Sequence, residues 1–134
     1  RVGYGLASKD IISDFDKIRQ PFNVNYIAQK MAVASLGDER YLEKSLRLND
    51  AGMQFLKSEL NKLGIMYLNT YTNFITIYLG SKTQEIYEIL LSEGVILRPL
   101  ENYGLPNYLR VTIGTKEENN MFIRKLKKSL KVIK

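Results

Sequence analysis

The sequence predicts an α+β domain in which a small sheet packs against helices. Three observations point there: apolar residues recur at helical spacing through the first 63 positions, the period changes to two after Gly64, and two capping patterns then interrupt β-branched runs. At 134 residues, with 45% hydrophobic and 25% charged side chains, the chain suits one ordinary domain with one core.

Residues 1–7 are interrupted by glycine and read as the end of a strand. Ser8 stands as the N-cap of a helix over 9–19, with Ile11, Ile12, Phe15 and Ile18 on one face, and Gln20-Pro21 stops it. After the Pro21 turn, Ile27, Ala28, Met31, Ala32 and Ser35 make the small-residue face of a second helix, with Asn23 and Asn25 as capping residues at its start. Leu42, Leu46, Met53, Leu56, Leu60 and Leu63 then mark one long amphipathic helix over 39–63, closed by Gly64. Strands are expected at 65–68 and 73–79 around a turn-like 69–72. Ser81 to Gln84 is a capping-box pattern opening a short helix that Gly94 ends. Strands at 95–97 and 108–113 flank a Gly/Pro-bearing loop at 101–107, and Thr115 to Glu118 is a second capping box before a terminal helix.

Composition removes several kinds of chemistry. With no Cys and no His, the chain offers no disulfide, no thiolate nucleophile, no imidazole-based metal site and no serine-histidine triad. No metal site is expected. Any chemistry must rest on Arg, Lys, Tyr, Asp, Glu or a cofactor. No apolar run approaches the ~20 residues that span a bilayer, and no signal-peptide pattern opens the chain, so a cytoplasmic protein without a membrane partner is expected. Because the chain opens on Arg1 and its first eight residues already read as structured, a fragment is expected.

The net charge of +6 raises the question of nucleic acid. Residues 116–134 hold seven basic and two acidic side chains, and the remainder thirteen and twelve, so the excess sits in one helix. There Phe122, Leu126, Leu130 and Ile133 form an apolar stripe, while Arg124, Lys125, Lys127, Lys128 and Lys131 lie mostly away from it, as a solvated face does. A basic module contacting nucleic acid through Lys125, Lys127, Lys128 and Lys131 is the rival of a different class; without aromatic residues between the bases, the solvated face is the favoured reading.

Two arginines carry the chemical interest. In the run from Tyr108 to Gly114, Leu109, Val111 and Ile113 alternate with Tyr108, Arg110 and Thr112, so Arg110 projects from the polar face of a strand. A guanidinium presents paired N–H donors that match a carboxylate or phosphate and keeps its charge at every physiological pH. Should the two strands pair, Arg98 would stand beside it and make a corner for a dianion, roofed by the Tyr103-Gly-Leu-Pro106 loop. Spacing alone favours the plainer reading, a surface arginine on an edge strand. Arg1, beside glycines, is a weak candidate for a phosphate contact, and Asn73 before Phe74 is equally a strand opening or a site residue.

Six segments together carry more information: Arg1-Val-Gly-Tyr-Gly-Leu-Ala-Ser8, Arg19-Gln-Pro-Phe-Asn-Val-Asn25, Asn73-Phe74, Gly94-Val-Ile-Leu-Arg-Pro-Leu100, Tyr103-Gly-Leu-Pro-Asn107 and Leu109-Arg-Val-Thr-Ile-Gly-Thr115. In order and spacing, from end to end, they resemble the histidinol-phosphate aminotransferases. The resemblance implies the fold type I architecture of pyridoxal-phosphate enzymes, with residues 1–20 ending the large cofactor domain and 21–134 forming the C-terminal small domain behind the linking helix 39–63. It implies a cofactor, pyridoxal 5'-phosphate, whose phosphate Arg1 would bind, and a substrate anion held by Arg110 and Arg98. Asn73 and Phe74 match a motif close to the substrate pocket, with no specific role implied.

The implied reaction moves an amino group from glutamate through the cofactor to imidazole acetol phosphate, giving histidinol phosphate and 2-oxoglutarate, in a homodimer. The Schiff-base lysine of the family falls outside these residues, so the chain by itself holds no catalytic residue and is expected to be inactive. Aromatic aminotransferases and the threonine-phosphate decarboxylase share the small domain and stay open as alternatives.

Overall fold

In a computed structural model that describes residues 2–133, the chain forms five helices and a three-stranded antiparallel sheet among the described residues, an α+β arrangement as the sequence predicts. It divides into two compact units, 1–43 and 44–134, described separately below.

The first unit holds α1 (Lys9–Ile18), α2 (Tyr26–Leu36) and the start of α3 (Glu39–Lys62). Residues 2–7 form no strand, contrary to expectation, because no ladder partner pairs with their backbone. Ser8 has the extended backbone of an N-cap but its side chain makes no capping bond, whereas Asn25 accepts a hydrogen bond from the Ala28 amide at 2.8 Å and caps α2. Asn23 takes no part in capping. Phe22 sits in the left-handed region at φ 55, where side chains are uncommon, in the turn that Pro21 opens. Neither α1 nor α2 buries a residue; Ile11, Ile12, Phe15 and Ile18 remain exposed.

The second unit holds the core. The remainder of α3 is followed by β1 (Phe74–Tyr78), α4 (Thr83–Ser92), β2 (Arg98–Leu100), β3 (Leu105–Thr112) and α5 (Lys116–Val132). The strand order is β1-β3-β2. Ile75, Ile77, Leu109 and Val111 leave one face of this sheet and join Met53, Leu56 and Leu60 of α3, Ile86 and Leu90 of α4, and Phe122, Ile123 and Leu126 of α5 in one buried cluster. Alternation along β1 and β3 therefore assigns every second side chain to the core, and removing such area from water at roughly 25 cal/mol per Å2 is the main favourable term.

Two glycines are demanded by this packing. Gly64 takes φ +68 just past the end of α3, a conformation that lets the Ile65 amide reach back to the Leu60 carbonyl at 3.0 Å. Gly52 faces the end of β3 and the start of α5 so closely that an added Cβ would lie 2.6 Å from Ile113 Cγ2 and 2.9 Å from Asn119 Nδ2. A Gly52→Ala variant is expected to lose about 1–3 kcal/mol through overpacking, measured by urea denaturation; a stability equal to the parent's would show that α3 can shift outward freely.

Several local expectations are corrected. Residues 65–68 form no strand but a single bridge, Tyr67 to Ile77, with the Tyr78 amide bonded to the Met66 carbonyl at 2.9 Å and the Leu68 amide to the Thr76 carbonyl at 2.9 Å. Residues 95–97 keep a strand's alternation of burial, yet the paired strand begins only at Arg98, since the Val95 amide is engaged by the Leu90 carbonyl. The Ser81 capping box does not form. A 3-10 turn at Gly80–Lys82 precedes α4, and the Thr83 hydroxyl instead donates to the Gly80 and Asn107 carbonyls at 2.7 and 3.0 Å. The second capping box forms in full: Thr115 N–H donates to the Glu118 carboxylate at 2.7 Å and Glu118 N–H to the Thr115 hydroxyl at 3.3 Å. The Thr115 amide first, and then the Thr115 side chain, hold the Glu118 carboxyl below its ordinary pKa by hydrogen bonding its charged form.

The basic face of α5 is less free than a solvated face. Lys127 pairs with Glu59 of α3 at 2.6 Å, Lys128 with Glu93 at 2.5 Å, and Lys125 donates to the Glu93 carbonyl at the end of α4. Hydrogen bonds from Lys127 and then Lys62 lower the Glu59 pKa from 4.5 to about 2. Since the folded value lies below the unfolded one, this carboxylate stabilises the fold above pH 4.5 and loses that effect as pH falls toward 2. Glu59→Gln should therefore lower the denaturation midpoint at pH 7, with the gap to the parent chain closing as the buffer approaches pH 2. A gap unchanged over that interval would refute the ion pair's contribution.

Candidate functional site

The polar face of the sheet is built by the same alternation that fills the core. Phe74, Thr76 and Tyr78 of β1 and Tyr108, Arg110 and Thr112 of β3 alternate with the apolar core positions, Thr76 being itself buried, and antiparallel register sets them in rows. Phe74 opposes Thr112, Thr76 opposes Arg110, and Tyr78 opposes Tyr108, whose rings stand 5.0 Å apart between centroids. On the other side of β3, Arg98 is the register partner of Arg110. Thr76, Arg110 and Arg98 thus form one row across the three strands, with the two cations directly opposite each other.

That placement is unfavourable for the fold by itself, because like charges facing across a strand pair repel. Among the described residues no hydrogen bond or ion pair to either guanidinium offsets it. Arg98 is exposed and Arg110 half-buried, so both guanidiniums keep donors free. Arg110 has one described contact, its Cζ 4.9 Å from the centroid of the Phe74 ring. A pair of forked donors side by side, without a protein carboxylate, can hold a carboxylate, or the several oxygens of a phosphate ester.

The hairpin that joins β2 to β3 keeps the two arginines in register. Its turn is a 3-10 segment at Glu101–Tyr103 closed by Gly104, preceded by a register irregularity between Pro99 and Leu100. No described bond ties the loop to the arginines, which the sequence had it roof. Tyr103 is largely exposed and makes no bond or ring contact to either of them. At the other end of β3, the Ile113 amide bonds the Asn73 carbonyl at 2.8 Å, so Asn73 anchors the strand pair through its backbone. Asn119, which the sequence did not single out, is buried and bonds both the amide and the carbonyl of Gly114 at 3.0 Å, fixing the exit of β3 into α5. Its place in the first turns of α5, on the side of Phe122 and Ile123, was the available signal.

Arg1, the candidate ligand for a cofactor phosphate, lies outside the described residues. The segment that follows it, 2–7, is exposed and irregular. What the described residues do offer is the Arg98–Arg110 pair, two cations in register with no acidic partner for either among the described residues. No group of three or more acidic side chains among them could hold a metal ion, and no helix among them is long and apolar enough to cross a membrane.

Comparison with known proteins agrees with the fold. A histidinol-phosphate aminotransferase 2 of Pseudomonas fluorescens is 46% identical over 130 residues, covering 97% of this chain and 35% of its own length. The histidinol-phosphate aminotransferase of Clostridium acetobutylicum superposes with a TM-score of 0.80 at 30% identity, over 89% of this chain and 37% of that one. That of Sinorhizobium meliloti, determined in complex with pyridoxal-5'-phosphate, gives 0.77 at 23%, over 91% and 34%. An L-threonine-O-3-phosphate decarboxylase of Porphyromonas gingivalis gives 0.80 at 25%, over 94% and 40%. The chain spans about 35% of the curated relative's length. Because the family of class I and II aminotransferases matches residues 1–126, nearly the whole sequence, the chain belongs to the class I and II aminotransferases.

Proposed function

We propose that this chain is the substrate-anion-binding part of a pyridoxal-phosphate-dependent histidinol-phosphate aminotransferase, a cytoplasmic homodimer that transfers an amino group from glutamate to imidazole acetol phosphate. The observation that carries the reading is the pair Arg98 and Arg110, opposed across β2 and β3 with no acidic partner among the described residues. Such a pair gains from an anion what it lacks from the protein. Glutamate offers a carboxylate where histidinol phosphate offers a phosphate ester, and Arg110 can bind either with the same fork. Arg98, more exposed, adds charge for the dianion. The relative's name supports histidinol phosphate over other substrates of this fold.

Residues 1–20 are assigned to the end of the parent's large domain and 21–134 to its small domain. Pyridoxal phosphate, when bound, supplies the electron sink for amino transfer, and Arg1 is assigned to its phosphate. This chain's own part is to bind and orient the substrate's anionic end, so the 134 residues alone are expected not to transaminate. Arg1→Ala in the full-length protein should weaken cofactor retention, which titration of the apoprotein with pyridoxal phosphate reads directly; unchanged retention removes the assignment.

The deciding experiment is transamination of histidinol phosphate with 2-oxoglutarate by the full-length protein, beside the 134-residue chain, with pyridoxal phosphate added. Activity in the full-length protein alone is the expected result. A full-length protein that instead transaminates phenylalanine or tyrosine, or decarboxylates threonine phosphate, would keep the fold and replace the substrate.

A further inference from the structure

The Phe74 ring is the one described contact of the Arg110 guanidinium, and no part of the reading above uses it. Phe74 opens β1 and is half-buried, on the same sheet face as Arg110 and one row away from it. The ring belongs to the diagonal neighbour, a distance that aromatic and long side chains bridge. The directly opposed residue, Thr76, is buried, and its hydroxyl makes no described hydrogen bond to Arg110. The guanidinium thus has an aromatic face on this side and a second cation, Arg98, in register on the other.

We infer that Phe74 is a positioning residue: through its π face it holds the Arg110 guanidinium in the orientation that receives an anion, and so tunes the affinity of the Arg98–Arg110 pair for phosphate. The inference rests on the anion-site reading proposed above. The physical cause is the ring quadrupole, which attracts a cation over its face and, unlike a carboxylate, leaves the guanidinium's N–H donors unspent. An aspartate or glutamate in the same place would neutralise Arg110 and compete with the ligand. A ring of this kind reduces the rotamer freedom that a long side chain loses when it binds, which raises affinity without a new contact to the ligand.

The test uses the 134-residue chain and inorganic phosphate at low ionic strength, followed by the side-chain N–H resonances of Arg98 and Arg110. Phosphate should shift both. Phenylalanine analogues at position 74 with increasing fluorine content keep the ring's shape while emptying its face, so phosphate affinity should fall stepwise by about two- to five-fold in total, as should Phe74→Leu, while Phe74→Trp holds it. In the unliganded chain the Arg110 side-chain resonances should carry a ring-current shift that Phe74→Leu removes. A merely structural phenylalanine would tolerate fluorination without change in affinity. If phosphate shifts both arginines equally well in every fluorinated form, the positioning role is wrong and the anion site stands. If phosphate shifts neither arginine in the parent chain, the anion site itself fails, and the role of Phe74 with it.

Discussion

Replacing Arg110 by lysine in the full-length protein is expected to raise KM for glutamate and for histidinol phosphate together, each by roughly ten- to a hundred-fold. A lysine keeps the charge but offers a point donor where the guanidinium offers two parallel N–H groups. Losing one charge-assisted hydrogen bond costs about 1.5–3 kcal/mol, and ~1.4 kcal/mol corresponds to a factor of ten. The effect should fall on both substrates because the same fork is proposed to receive carboxylate and phosphate in turn. The residue makes no ion pair within the described chain, and a lysine cation can also stand over the Phe74 ring, so the denaturation midpoint should hold. Steady-state kinetics with each substrate varied in turn checks this. Unchanged apparent affinities for both would remove Arg110 from the site; a change for histidinol phosphate alone would assign glutamate to another group.

The second large effect concerns stability and separates the two units of the chain. Leu126→Ala is expected to destabilise the 134-residue protein by about 2–5 kcal/mol, because this α5 side chain is fully buried in the cluster shared with α3, α4 and the sheet and its removal leaves a cavity. Phe15→Ala, at an exposed position of α1, should stay within about 0.5 kcal/mol. Both are measured by urea denaturation with a probe in residues 44–134. Equal losses from the two substitutions would mean that the α1 stripe is packed in solution, contrary to its exposure here.

Much of this was readable one element at a time, and the reason differs between elements. The long helix ends where Gly64 permits a left-handed turn, and α5 begins where Thr115 and Glu118 satisfy each other's backbone amides. Both are local hydrogen-bonding decisions within a few residues. The alternation in β3 gave the core face, and hence the face on which Arg110 stands. The strands at 65–68 and 95–97 were misread for a common reason: alternation of burial reports which side chains face the core, whereas a ladder needs a neighbouring backbone. The capping pattern at Ser81 failed because Gly80 opened a 3-10 turn one step earlier and Thr83 found the distant Asn107 carbonyl.

By itself the sequence determined the α+β class, the apolar faces, the two charged arginines and, through six ordered motifs, the family resemblance that comparison bears out. All of these depend on residue type and spacing. Only the tertiary structure decided that Arg98 and Arg110 oppose each other, that the Phe74 ring meets the Arg110 guanidinium, and that Glu59 takes up Lys127 from the basic face. Phe74 and Arg110, like Glu59 and Lys127, lie far apart along the chain, and even across the short β2–β3 hairpin the register shifts at Pro99/Leu100, so residue type and spacing alone do not give it.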